Sequence, residues 1–217
     1  MRNNHINKFT HIIVIKSKET EILAMLIDIP YNRERAVEYA RRWALTRNPL
    51  FIDFTGRGGD CTSFVSQCVF AGCGVMNYTP TYGWYYVSSA DRAPAWAGVD
   101  EFFDFTVGVP EFREANGGVG PTGFDVRDGR DIAIGDVIQL ANESGAFYHS
   151  LIISGFTEDD ILICAHSDDA LDRPISTYNF SSLRIIHIEK AVIDLDTDTS
   201  FENLINGTAI TTASLRI

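Results

Sequence analysis

The stretch "GGDCTSFVSQCVFAGCG", residues 58–74, constrains this chain more than any other. Gly58 and Gly59 let the backbone bend, and Asp60 is a residue type suited to capping a helix. Cys61, Phe64, Val65, Cys68, Val69 and Gly72 then recur at i, i+3, i+4, i+7 and i+8, the spacing of a helix with one buried face. Gly72 and Gly74 read as its end. The pattern therefore predicts a helix whose buried face begins with a cysteine at its positive N-terminal end. A thiol reacts as the thiolate, and that end stabilises negative charge.

Free cysteines are among the most buried residue types, so the bland reading of any one is a small hydrophobe. Cys68, Cys73 and Cys164 fit it, each following apolar neighbours with no polar device beside it. Cys61 is different because glycines, an adjacent carboxylate and a helix start converge there. The four cysteines match no small disulfide scaffold. On one helix Cys61 and Cys68 lie about 10 Å apart along the axis, too far to bridge. Free thiols are expected.

A nucleophilic thiol needs a base, and the chain has five histidines. His5 and His11 fall in an N-terminal segment read as incidental to chemistry, and His187 reads as a satisfied strand residue. After "IAIGD" the hydrophobic period changes to two. "DVIQL", "YHSLIISG", "DILICAH" and "SLRIIHI" read as strands of an antiparallel meander. His149 opens one strand on the face of Leu151 and Ile153, and His166 closes the next on the face of Leu162 and Cys164. A hairpin turning near Thr157 to Asp160 would make the two imidazoles neighbours, with His166, Asp168 or Asp169 available to orient the base.

Helices first and strands second argue an α+β class, with helices on one face of a mostly antiparallel sheet. "YNRERAVEYARRWAL" supplies the first amphipathic helix, burying Ala36, Val37, Ala40, Trp43 and Ala44 and stopped by Asn48-Pro49. From Tyr78 to Gly129 loops are expected to dominate, with one helix near Gly98 to Val107. Tyr82, Trp84, Tyr85, Tyr86 and Trp96 in that region either wall a groove or, as the commoner fate of such rings, pack in the core. Residues 1–29 read as an extension, with a strand at His11 to Ile15 and a short helix around Ile22 to Leu26. Residues 30–191 read as one domain and 192–217 as a tail.

With a formal net charge of −11, no long-range field draws the chain to nucleic acid or to an anionic membrane. The run "HIIVIKSKETEILAMLIDI" is broken by Lys, Glu and Thr and reads as neither secretion signal nor membrane span, which leaves localisation open between the cytoplasm and an export route not visible here. Oligomeric state is not legible in the sequence.

Seven segments in one order, "YNRERAVEYARRWA", "NPLFIDF", "GGDCTSFVSQCVFAGC", "GWYY", "GDVIQL", "YHSLIISG" and "HSDDALDRPISTY", resemble the Putative amidase domain family. That family is a branch of the NlpC-like, papain-fold cysteine peptidases and amidases related to the CHAP amidases. The resemblance runs from about Tyr31 to about Glu189. It implies a papain-like fold in which the Cys-bearing helix packs on the sheet that carries the His. Cys61 is then nucleophile, His149 base, and His166, or else Asp168, the third polar member. It implies a bacterial peptide or peptidoglycan-fragment substrate and no cofactor. Asp60 becomes a receiver for a substrate amine, unless it simply caps its helix, and Trp84, Tyr85 and Asp168 become substrate contacts.

Two other chemistries and one non-catalytic role compete. Cys61 and His149 could pass an acyl group to an amine rather than to water, or the fold could serve as a binding module without turnover. A metal site from His149, Cys164, His166 and Asp168 lacks the tight paired spacing of zinc ligands.

Overall fold

A computed structural model describes residues 10–16, 21–126 and 131–194. His5, most of the expected tail (195–217) and Gly129 at the end of the expected loop region lie outside the described residues. The class is α+β, with helices packed on an antiparallel sheet, as the patterning predicts.

The chain enters through strands β1 (Thr10–Lys16) and β2 (Glu21–Pro30). The helix expected around Ile22 to Leu26 is thus a strand. β2 pairs with β8 (Ser182–Asp194), a partner far along the chain, so tertiary pairing decides what local pattern left ambiguous.

Helix α1 (Arg33–Trp43) is capped by Asn32, whose side chain accepts from the Arg35 amide at 3.0 Å. It buries Ala36, Val37 and Ala40. It ends at Trp43, ahead of the Asn48-Pro49 stop, and the Trp43 carbonyl accepts from His166 Nε2 at 2.9 Å.

Helix α2 (Cys61–Cys73) is buried on almost every side, so the single apolar stripe understates it. The polar residues off that stripe are satisfied: Trp84 Nε1 donates to Ser66 Oγ at 3.0 Å and Tyr39 Oη to Gln67 Oε1 at 2.8 Å. The left-handed C-cap is Gly74, at φ 70°, while Gly72 is a helix-interior residue.

The segment expected to be mostly loop holds more order than its Gly and Pro content suggests. Short helices α3 (Pro94–Ala97) and α5 (Pro110–Asn116) flank α4 (Val99–Val107), the helix expected near Gly98 to Val107. Strand β3 (Gly120–Val126) follows and pairs with β8. Trp84 and Trp96 are fully buried, with ring centroids 5.1 Å apart.

Strands β4 (Val137–Ala141), β5 (Phe147–Phe156), β6 (Ile161–Ala165) and β7 (Ala170–Pro174) form a meander, and β8 returns to pair with β4. The order is β1-β2-β8-β4-β5-β6-β7, with β3 on the other edge of β8. β4 and β2 share one edge of β8, and Arg33 and Asp136 fill the interval between them. Arg33 Nη2 donates to the Ile188 carbonyl and the Ile188 amide to Asp136 Oδ1. Alternation along the strands splits the core. Val137 and Ile152 join the helices in one cluster, while Ile138, Leu140, Leu151 and Ile153 face a second on the opposite side. Among the described residues no helix is long and apolar enough to cross a membrane.

Candidate active site

Cys61 and His149 reach one cavity of about 420 Å³, lined also by Gly58, Gly59, Asp168 and Tyr178. Gly58 and Gly59, at φ 103° and 104°, turn the chain into α2 in a conformation a side chain would strain. Cys61 is its first residue and is 6% exposed. His149 sits at a β-bulge. Leu140 pairs with His149 and Ala141 with Phe147, so Tyr148 is skipped and the strand turns at the imidazole.

Burial lowers the His149 pKa to about 4, with Asp168 pulling it up and Arg173 pushing it further down. The ring is therefore neutral at neutral pH and able to accept a proton. Its Nε2 is buried without a hydrogen-bond partner, and so is Tyr178 Oη, 5.9 Å away between ring centroids. Burial pushes the Tyr178 phenol up to about 12, which keeps it a donor. Arg173 lies over the Tyr178 ring at 3.9 Å and donates to Asp168 Oδ2 at 2.7 Å and to Thr177 Oγ1 at 2.9 Å.

The remaining expected site residues go elsewhere. His166 is not the neighbour of His149. Its Nδ1 is 2.7 Å from Asp60 Oδ2 and its ring stacks on Phe64 of α2, because it faces the helix side of the sheet. Asp60 stands at the N-cap position but makes no capping bond to α2. Its carboxylate is drawn off by His166 and by the Phe54 amide. Trp84 is fully buried with its N–H bound to Ser66, and Tyr85 donates to Asp91, so neither lines the cavity. Of the expected set, the cavity holds Cys61, His149 and Asp168.

Sequence reading passed over Tyr148, Arg173 and Tyr178, although the last two lie in the quoted segment "HSDDALDRPISTY". It also passed over Thr62 and Ser150, the hydroxyl residues that directly follow Cys61 and His149. The other thiols are held inert by burial: Cys68 is pushed well up, Cys73 to about 12, and Cys164 up. A larger, more open groove of about 630 Å³ at Tyr31–Arg35 and Ala71–Gly74 holds Cys73 but no histidine, so it lacks a nucleophile with a base. Among the described residues no three His, Cys, Asp or Glu side chains gather as a metal site would require.

The Putative amidase domain family model matches residues 30–188, from the last residue of β2 into β8. The chain is similar to the "Uncharacterized protein YhbB" of Bacillus subtilis (strain 168), at 30% identity over 148 residues, covering 66% of this chain and 43% of that protein. It thus spans less than half the length of the curated relative it matches. No solved structure matches the chain. With the family pattern running through the helix that carries Cys61 and the strand that carries His149, the chain belongs to the Putative amidase domain family.

Proposed function

We propose that this chain is a cysteine-dependent amide hydrolase of papain-like, NlpC-related architecture, acting on the peptide amides of bacterial cell walls. The observation that carries the reading is the meeting of a helix-start thiol, Cys61, and a strand-start imidazole, His149, at one cavity. Family membership supports amide chemistry, and the kinship that the seven-segment resemblance implies with NlpC-like and CHAP amidases supports the substrate class. The packing of α2 on an antiparallel sheet agrees with a papain-like arrangement.

His149, neutral at working pH, takes the Cys61 proton as the sulfur bonds to the amide carbonyl carbon. Negative charge moves onto the carbonyl oxygen, where the Cys61 amide at the open start of α2 can donate to it. The imidazolium returns the proton to the departing amine, leaving a thioester. Water, losing a proton to His149, then releases the carboxylic acid and restores the thiol. Asp168 lines the cavity and favours the charged ring through space, which suits the intermediate imidazolium.

Amide hydrolysis on a panel of peptidoglycan fragments tests the proposal. Cys61→Ala and His149→Ala are expected to abolish product formation while the fold is kept. Activity of Cys61→Ala equal to the parent's would remove the assignment.

A further inference from the structure

His166 does not line the cavity, yet its ring is held at both nitrogens and on one face. Nδ1 lies 2.7 Å from Asp60 Oδ2, Nε2 lies 2.9 Å from the Trp43 carbonyl oxygen, and the Phe64 ring stacks at 3.9 Å. One nitrogen faces the Asp60 carboxylate and the other a main-chain carbonyl, so the ring is tied on both sides and ties Asp60 in turn. His166 and Asp60 are each 1% exposed.

Asp60 precedes Cys61 directly and occupies the place from which a carboxylate ordinarily accepts first-turn amides. It accepts none of them. Its Oδ1 takes the Phe54 amide at 3.2 Å, its Oδ2 takes His166, and Arg47 Nε stands 3.5 Å from Oδ2. The two residues that follow His166 or come close after it grip the same loop. Ser167 Oγ accepts from the Asp60 amide at 2.7 Å, and Asp169 accepts from Arg47 Nη1 and Nη2 at 3.0 and 2.9 Å. Ser167 is held at φ 73°, a strained value for a residue with a side chain, which persists where its surroundings enforce it. The turn "HSDD" is thus built around the segment that launches Cys61.

We propose that His166 is a positioning residue for the nucleophile: it holds the Asp60 carboxylate in the core and so keeps the first-turn amides of α2 free for the Cys61 thiolate and the oxyanion of its adduct. The proposal rests on the reading of Cys61 as nucleophile. Without His166, rotation of the Asp60 side chain lets its carboxylate cap α2, which occupies those amides and sets a second negative charge beside the sulfur. Both effects oppose thiolate formation. The other charged or titratable groups of the cavity are His149, Asp168, Arg173, Tyr148 and Tyr178, and His166 bonds none of them.

The test is the pH profile of Cys61 alkylation by iodoacetamide, with the site of modification located by mass spectrometry. His166→Leu is expected to react about tenfold more slowly at neutral pH, its midpoint raised by about one unit. His166→Leu/Asp60→Ala regains most of the parental rate, because alanine neither caps α2 nor brings charge to the thiolate. A parental profile in folded His166→Leu overturns the proposal and leaves Cys61 standing as nucleophile. Slowing that Asp60→Ala does not relieve overturns it too, since His166 would then act through bulk structure alone. Where His166→Leu does not fold, His166→Phe, which keeps a ring against Phe64 but has no nitrogen to hold the Asp60 carboxylate, is read in the same way. Amide hydrolysis that survives Cys61→Ala would instead remove the underlying reading, whatever the His166 variants show.

Discussion

Thr62 Oγ1 and Ser150 Oγ stand 2.9 Å apart in the fully buried seam between α2 and β5. The bond joins the residue after Cys61 to the residue after His149, so it ties the two halves of the site at their nearest backbone neighbours. Gln139 Nε2 donates to the same Ser150 oxygen at 3.3 Å and to the Val99 carbonyl at 2.7 Å, which extends the tie to β4 and α4. Ser150→Ala takes from Thr62 its bonded partner across the seam and leaves Gln139 short of one acceptor. The expected cost is about 1–3 kcal/mol, seen as a lower urea midpoint at unchanged m-value. Amide hydrolysis should fall as well, since helix and strand lose their register beside the reacting pair.

Thiol reactivity should sort the cysteines in one experiment. Burial raises Cys68, Cys73 and Cys164, whereas Cys61 lines the cavity. Brief iodoacetamide treatment of the folded protein at mildly alkaline pH is expected to label Cys61 alone, and treatment in denaturant to label all four. Labelling of Cys73 at a rate matching Cys61 in the folded protein would contradict the burial argument.

What could be read in the sequence follows the range of the forces involved. α1, α2 and strands β4 to β6 announce themselves because their periods are local and their caps and turns are adjacent. The hairpin between β5 and β6 closes where expected, with the Thr157 amide donating to the Asp160 carbonyl at 2.9 Å. β2 was invisible as a strand because its partner is β8, and β3 because its glycines suggest a loop until β8 pairs with it. Cys61 and His149 stood out by residue type and position. The partnership of His166 with Asp60 did not, because adjacency along a hairpin says nothing about which face of the sheet a side chain takes, and α2 lies on the face His166 adopts.

Gly72 illustrates a residue whose reason is packing rather than backbone freedom. It lies inside α2, where a Cβ would run into the Tyr31 ring and stand 2.9 Å from the Asn32 carbonyl oxygen. The Asn32 amide also donates to the Gly72 carbonyl at 2.9 Å, so the start of α1 cannot draw back without losing a bond. Gly72→Ala, ordinarily favourable in a helix interior, is expected here to destabilise by about 1–3 kcal/mol. Thermal and urea denaturation check it, and a stabilised variant would show that α1 and α2 slide apart freely.

The pH dependence of stability follows from His149. Its ordinary pKa is 6.5 and burial lowers it to about 4 in the folded chain, so the unfolded state binds the proton more tightly. Stability from this group is therefore fully present above pH 6.5 and is lost as pH falls through the window down to about 4. The loss approaches about 3 kcal/mol at its limit, from 1.36 kcal/mol per unit. His149→Gln should flatten that part of the urea-midpoint profile while leaving the more acidic limb, which belongs to carboxylates. The same shift places the acid limb of amide hydrolysis near pH 4 rather than 6.5, because the base stays unprotonated until then. An acid limb at 6.5 in the parent would mean that His149 is solvated in the working enzyme, and the buried, unpartnered imbalance at its Nε2 would then be relieved by opening of the cavity.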